Sequence, residues 1–121
     1  MKKLLSAVLL LSVSSFAFAQ PEIKIEDAGK HEGDSVTICT KIFGARYFEN
    51  SKNAPTLLNA GASYPDAPLT ILVFGENRAN FKNKPEAYYT GKNICVTGRI
   101  VFYKGKPEII ITREEEISIK E

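Results

Sequence analysis

Tyr89–Thr112, YTGKNICVTGRIVFYKGKPEIIIT, reads as two strands joined by a tight turn. From Ile94 onward apolar and polar residues alternate. Ile94, Val96, Ile100 and Phe102 fall on one face, and Cys95, Thr97, Arg99 and Tyr103 on the other. Alternation of period two, broken by a glycine-bearing turn, is the sequence pattern of a β-hairpin. The break here is Lys104-Gly105-Lys106, after which Pro107-Glu108 opens the apolar run Ile109-Ile110-Ile111. Gly98, inside the first strand, predicts a bulge or a tight bend of the kind small barrels use to turn a corner. An earlier stretch, Ser35–Phe43 (SVTICTKIF), repeats the pattern: a Gly-led turn, alternation and a central cysteine. Both stretches point to a small β barrel.

The rest of the chain fills in around them. Glu26–His31 predicts a helical turn, and Ser35–Phe43 is the first strand, ended or bent by Gly44. Ala45–Phe48 can begin a further strand, and Glu49–Pro55 is a polar loop of turn formers. Thr56–Asn59 is a short strand, Ala60–Pro68 a loop pinned by two prolines, and Leu69–Phe74 a nearly continuous apolar strand. Glu76–Phe81 and Pro85–Tyr89 can each form a short helix, with Pro85 suited to a first helical position and Asn83 placed to help cap it. Ile117 and Ile119 can extend the sheet edge. The order is β-β-β-α-β-β, that of the OB-fold, a five-stranded Greek-key barrel with a short helix between strands three and four. An immunoglobulin-like sandwich calls for about seven strands and a buried Trp; this chain has no Trp and has helix in mid-chain.

The first residues carry an address. Met1-Lys2-Lys3 is followed by an apolar run from Leu4 to Val13 and then by Ser14-Ser15-Phe16-Ala17-Phe18-Ala19-Gln20. A basic start, a short apolar core and an A-x-A exit are the marks of a secretory signal peptide over residues 1–19, and the run is shorter than the roughly 20 residues of a membrane-spanning helix. Residues 20–121 are then a single domain with a short acidic C-terminal tail, in a periplasmic or secreted protein. The whole chain of 121 residues has a formal net charge of +2. Without Lys2 and Lys3 the two signs balance at 14 each. That lacks the global basic footprint of many nucleic-acid binders, although a local basic surface remains once the acidic tail is set aside. The two cysteines, Cys39 and Cys95, sit at the centres of predicted strands. In an exported protein an even count suggests a disulfide, and the OB order makes these strands neighbours; two half-buried free thiols are the alternative.

A family likeness rests on His31–Cys39 (HEGDSVTIC), Thr56–Pro65 (TLLNAGASYP), Leu69–Phe81 (LTILVFGENRANF), Gly91–Gly98 (GKNICVTG) and Tyr103–Pro107 (YKGKP). In these pieces the chain resembles the small exported bacterial proteins known as nucleic-acid-binding OB-fold domains. The resemblance covers most of residues 20–121 and implies a barrel that binds along one groove.

OB-folds that hold single strands use a groove over strands two and three, with aromatic side chains to stack bases and basic ones to hold phosphates. The candidates are Arg46, Tyr47, Phe48 and Lys52 around the second strand, Phe74 and Arg78 at the close of the third, and Tyr103, Lys104 and Lys106 at the last hairpin. Tyr64, in the stiff Tyr64–Pro68 loop, either forms a recognition tip or sets the course of the next strand. Catalysis and metal binding find no support in the sequence. His31 is the only histidine, and Glu76 with Arg78 lacks the paired acids and second arginine of a nuclease site. The Glu114-Glu115-Glu116 run reads as a solvated tail. The expected function is therefore a non-catalytic binding module without cofactor. Its ligand is single-stranded nucleic acid held with low specificity, or, in the alternative, an envelope protein or oligosaccharide in the same groove.

Overall fold

The computed structural model describes residues 20–121, so the leader expected at 1–19 lies outside the described residues. Six strands form the barrel: β1 (Ser35–Tyr47), β2 (Thr56–Ala60), β3 (Leu69–Val73), β4 (Asn93–Tyr103), β5 (Lys106–Ile110) and β6 (Ile117–Ile119). A one-turn helix, α1 (Pro85–Tyr88), lies between β3 and β4, and 3₁₀ turns cover Ile25–Lys30, Gly75–Asn80 and Glu114–Glu116. The strand order is β1-β2-β3-β5-β4-β6, with a further β1–β4 pairing that closes the ring. All pairs are antiparallel except β3–β5. This is the OB-fold topology, with the helix where the sequence places it.

Closure depends on two long strands that each change partner. The first half of β1, residues 35–41, pairs with β4, and the second half pairs with β2. The register slips between Ile42 and Gly44, leaving Phe43 as a bulge. β1 therefore runs on through Gly44 to Tyr47, so that of the two outcomes the sequence leaves open Gly44 bends the strand and does not end it. A bulge bends a strand and raises its twist, which lets one strand serve both halves of a barrel. It also resets the alternation. Before it the even residues Val36, Ile38 and Ile42 are buried; after it Ala45 packs on the core and Arg46 is exposed.

β4 turns its corner without a bulge. Residues 93–99 pair with β1, and Ile100–Tyr103 pair with β5. Gly98 keeps regular register, and its role is close approach: a Cβ there would stand 2.6 Å from Ile109 Cγ2. The hairpin turn has φ of 50° at Lys104 and 79° at Gly105, the two positive values of a type I′ turn, whose twist matches the flanking strands.

The core is a stack of β-branched and Leu side chains. Ile38, Ile42, Leu58, Leu69, Ile71, Ile94, Ile100, Ile109 and Ile111 are fully buried, with Phe81 and Tyr89 added from the segments around α1. Burial raises the Tyr89 pKa to about 12. Phe102 departs from the alternation. It keeps the parity of the core but lies beyond its last layer and is 37% exposed.

Two local expectations are corrected. Lys84, and not Asn83, is the residue capping α1, and its side chain makes no cap hydrogen bond; Pro85 opens the helix as expected. The acidic run after Arg113 is folded. Glu116 Oε1 accepts from the Thr112 amide at 3.1 Å, the Thr112 hydroxyl at 3.0 Å and the Arg113 amide at 3.0 Å. That turn delivers β6, whose Ile117 is buried against β4. The carboxylate caps exposed amides, which is why this acid is ordered.

Cys39 and Cys95 stand directly opposite each other in the β1–β4 ladder and are bonded, with Cα atoms 4.0 Å apart. Thr37 and Thr97, one step along the same outer face, share a hydroxyl–hydroxyl hydrogen bond of 2.8 Å. Thiol titration of the denatured, unreduced protein should find no free thiol, and reduction should lower stability by about 4 kcal/mol on the chain-entropy account. Two titratable thiols, or an unchanged urea midpoint after reduction, would contradict the bridge. Gly98→Ala should destabilise by about 1–3 kcal/mol, because its methyl meets a core residue that cannot move; an unchanged melting temperature would refute the close-approach role.

Candidate functional site

The outer face of β1, β2, β3, β5 and β4 carries rows of side chains fixed by register. One row crosses four strands: Arg46 pairs with Leu57, Leu57 with Leu72, and Leu72 with Ile110. The next runs Gly44, Asn59, Thr70, Glu108 and Val101. Since neighbouring residues of a strand point to opposite faces, Leu57, Leu72 and Ile110 face outward while Leu58, Ile71 and Ile109 fill the core. The barrel is thus apolar on both sides of this sheet, and the outer apolar strip is the floor of an open groove of about 850 Å³.

Aromatic side chains stand around that floor. Phe48 and Phe74 come from the ends of β1 and β3, and Phe102 and Tyr103 from the end of β4. Tyr103 is 59% exposed. Lys52, from the β1–β2 loop, and Lys104, from the hairpin turn, line the same groove. The Lys104 ammonium lies 5.4 Å from the Tyr103 ring centre, near enough for a weak cation–π contact. The structure therefore brings together Phe48, Lys52, Phe74, Tyr103 and Lys104, which are distant in sequence. Arg46 and Tyr64 line an adjoining hollow beside Phe48, Leu57 and Asn59. The Arg46 guanidinium is 4.8 Å from the Phe48 ring centre, and Tyr64 is 82% exposed. Lys106 extends toward the Tyr64–Pro68 loop and donates to the Pro65 carbonyl at 3.4 Å.

Tyr47 and Arg78 are placed elsewhere. The bulge puts Arg46 on the outer face, so its neighbour Tyr47 points the other way. The Arg78 guanidinium lies 3.6 Å from the centre of the Tyr47 ring. Its Nη1 donates to Glu86 Oε2 at 2.8 Å and its Nη2 to Oε1 at 3.1 Å, a bidentate pair. Nη1 also donates to the hydroxyl of Thr56, a fully buried residue. Arg78 and Glu86 are only 16% and 22% exposed. Their hydrogen bond raises the Arg78 pKa and lowers that of Glu86. These four residues tie the end of β1, the start of β2, the Gly75–Asn80 turn and α1 into one clasp, with the guanidinium's fork already filled.

Sequence reasoning missed Leu57, Leu72, Val101, Ile110 and Glu108. The signal was present: Ile71–Phe74 and Ile109–Ile111 are apolar at consecutive positions, so each must show apolar side chains on both faces. Glu108 is the one acid on the groove floor. It is half-buried, and burial alone raises its pKa.

Solved structures similar to this chain include the following three. An aspartyl-tRNA synthetase from Leishmania major Friedlin matches 88% of it at 10% identity with a TM-score of 0.51, over 22% of the synthetase chain. The yeast Stn1 and Ten1 structure matches 93% at 12% identity and TM-score 0.59, over 69% of that chain. An aspartyl-tRNA synthetase from Entamoeba histolytica matches 90% at 14% identity and TM-score 0.56, over 23% of its chain. This chain thus spans less than a quarter of either synthetase. At these identities the likeness establishes the barrel fold. No protein-family model matches the chain, and no curated protein matches it in sequence.

Among the described residues no three His, Cys, Asp or Glu side chains gather into a group suited to a metal ion.

The clasp has a signed pH dependence. Glu86 has a folded pKa below its ordinary 4.5, so its contribution is complete above that value and is lost as pH falls through the folded pKa. Arg78→Ala should cost about 2 kcal/mol at neutral pH, since it strips a charged partner from Glu86 and a donor from buried Thr56. The stability gap between wild type and Glu86→Gln should be constant near neutrality and close in acid. A gap that widens in acid would reverse the assignment.

Proposed function

We propose that this chain is an exported, non-catalytic OB-fold module that binds single-stranded nucleic acid along the outer face of β1-β2-β3-β5-β4. The observation that carries the reading is the convergence of Phe48, Phe74 and Tyr103 with Lys52 and Lys104 on one open groove. Aromatic faces stack on any base, and rim lysines pair with phosphates, so the pattern suits a sequence-tolerant strand binder. Arg46 and Lys106 extend the positive rim toward the Tyr64 loop. Further support comes from the resemblance to exported OB-fold proteins and from the fold neighbours, two of which are by name enzymes of tRNA. The basic start and A-x-A exit of residues 1–19 support export. The disulfide agrees with an oxidising compartment.

A second reading is favoured by the strip Leu57, Leu72 and Ile110. An apolar floor in a domain of balanced charge also suits an envelope protein or an oligosaccharide.

A labelled oligonucleotide titrated by fluorescence at low salt separates the two. Saturable binding should weaken about tenfold in Tyr103→Ala at every salt concentration, in keeping with the loss of one stacked base. Lys104→Ala with Lys106→Ala should weaken binding and flatten its salt dependence, since fewer counterions are released. Tyr47→Ala should act through stability alone. The absence of saturable binding at tens of micromolar protein would remove nucleic acid and leave the protein or glycan reading.

A further inference from the structure

Glu108 is out of place in a groove meant only for phosphates. It lies on β5 between Thr70 on β3 and Val101 on β4, one row from the apolar strip of Leu72 and Ile110. Burial raises its pKa, and no hydrogen bond or neighbouring charge offsets that effect. The groove's lysines, Lys52 and Lys104, come from loops at its rim. Its carboxylate has no donor from the protein and is not sealed from water, so paired N–H groups of a ligand can take the place of that water. Phosphates are repelled from this point and drawn to the rim. What reaches the floor is the edge of a base stacked among the aromatic walls.

The edges of the bases differ in what they offer a carboxylate. Guanine presents two adjacent donors, N1–H and the 2-amino group, parallel and spaced for the two oxygens of one carboxylate. That is the fork arrangement which makes guanidinium–carboxylate pairs strong. Cytosine and adenine each set one amino group beside a ring-nitrogen acceptor. Thymine and uracil flank their single N–H with carbonyl oxygens, which repel the carboxylate. We infer that Glu108 is a specificity-determining residue that reads a guanine edge on the groove floor, making this module selective for guanine within an otherwise tolerant single strand. The inference rests on the nucleic-acid reading above. DNA and RNA share this edge chemistry.

The test uses the oxidised protein and three labelled oligothymidylates: one unmodified, one with a central guanine, and one with inosine at that position. The guanine strand should bind about tenfold tighter than the unmodified strand, within the range of a good bidentate base contact. Inosine, which lacks the 2-amino group, should lose most of that gain with the protein untouched. Glu108→Gln should bring the guanine preference close to unity while its melting temperature stays that of wild type. Equal affinity for all three strands overturns this inference alone. So does a Glu108→Gln variant that binds every strand tighter by one factor, since the carboxylate then acts only by repelling phosphate. No binding to any strand overturns the nucleic-acid reading and this inference with it. Matching uridylate strands show which backbone the rim prefers.

Discussion

β1 must pair with β4 at one end and with β2 at the other, and every other feature of the molecule follows from how it does so. A straight strand of thirteen residues would keep one set of side chains on the core throughout. The bulge at Phe43 breaks that continuity. It bends the strand across the barrel and exchanges inner for outer positions, so that Val36, Ile38 and Ile42 serve the core before it and Ala45 after it. Arg46 thereby reaches the outer face and Tyr47 the inner side. The Cys39–Cys95 bond fixes the first half of the strand against β4, while the clasp of Arg78, Glu86, Thr56 and Tyr47 holds its far end. A one-residue change in the bulge would invert the face presented by everything downstream.

The same constraint explains why a ligand must use the outside. The interior is filled by Ile, Val, Leu and Ala side chains from the six strands, with Phe81 and Tyr89 packed against them. Small barrels of this kind leave no internal space. The sheet therefore carries a second apolar surface on its outer face, where Leu57, Leu72 and Ile110 lie in register. Strand residues give that floor a fixed geometry, while the aromatic and basic groups come from strand ends and turns. The type I′ hairpin presents Tyr103 and Lys104 at the groove's margin, and its Lys106 reaches the neighbouring Tyr64 loop. Position is supplied by the sheet, and chemistry by its margins.

Much of this was legible in the sequence. Period-two alternation in Ser35–Phe43 and Ile94–Tyr103 yields the strands, and the helix between the third and fourth orders them as an OB barrel. The cysteines at matched points of two strands suggest a bridge, with two free thiols as the alternative, and the structure has the bond. The length of β1 was not legible, because Gly44 reads equally as a stop and as part of a bulge. Tyr47 and Arg46 look like one aromatic–basic cluster in sequence, yet adjacent strand residues face opposite ways. Arg78 looks free to hold phosphate, since its partner Glu86 lies eight residues on across non-helical chain. The groove floor was hidden because apolar runs such as Ile109–Ile111 suggest burial without saying which member points outward.

The most direct measurement is an amide chemical-shift map of the isotope-labelled, disulfide-bonded protein titrated with a short single-stranded oligonucleotide at low salt. The expected result is a continuous set of shifts over Leu57, Leu72, Val101, Glu108 and Ile110, spreading to Lys52 and Lys104. Thr37, Thr97 and the Arg78–Glu86 clasp should stay still. Shifts centred on the β1–β4–β6 face around Cys39, or none at saturating oligonucleotide, would contradict the assignment of the outer β2–β3–β5 face as the binding surface.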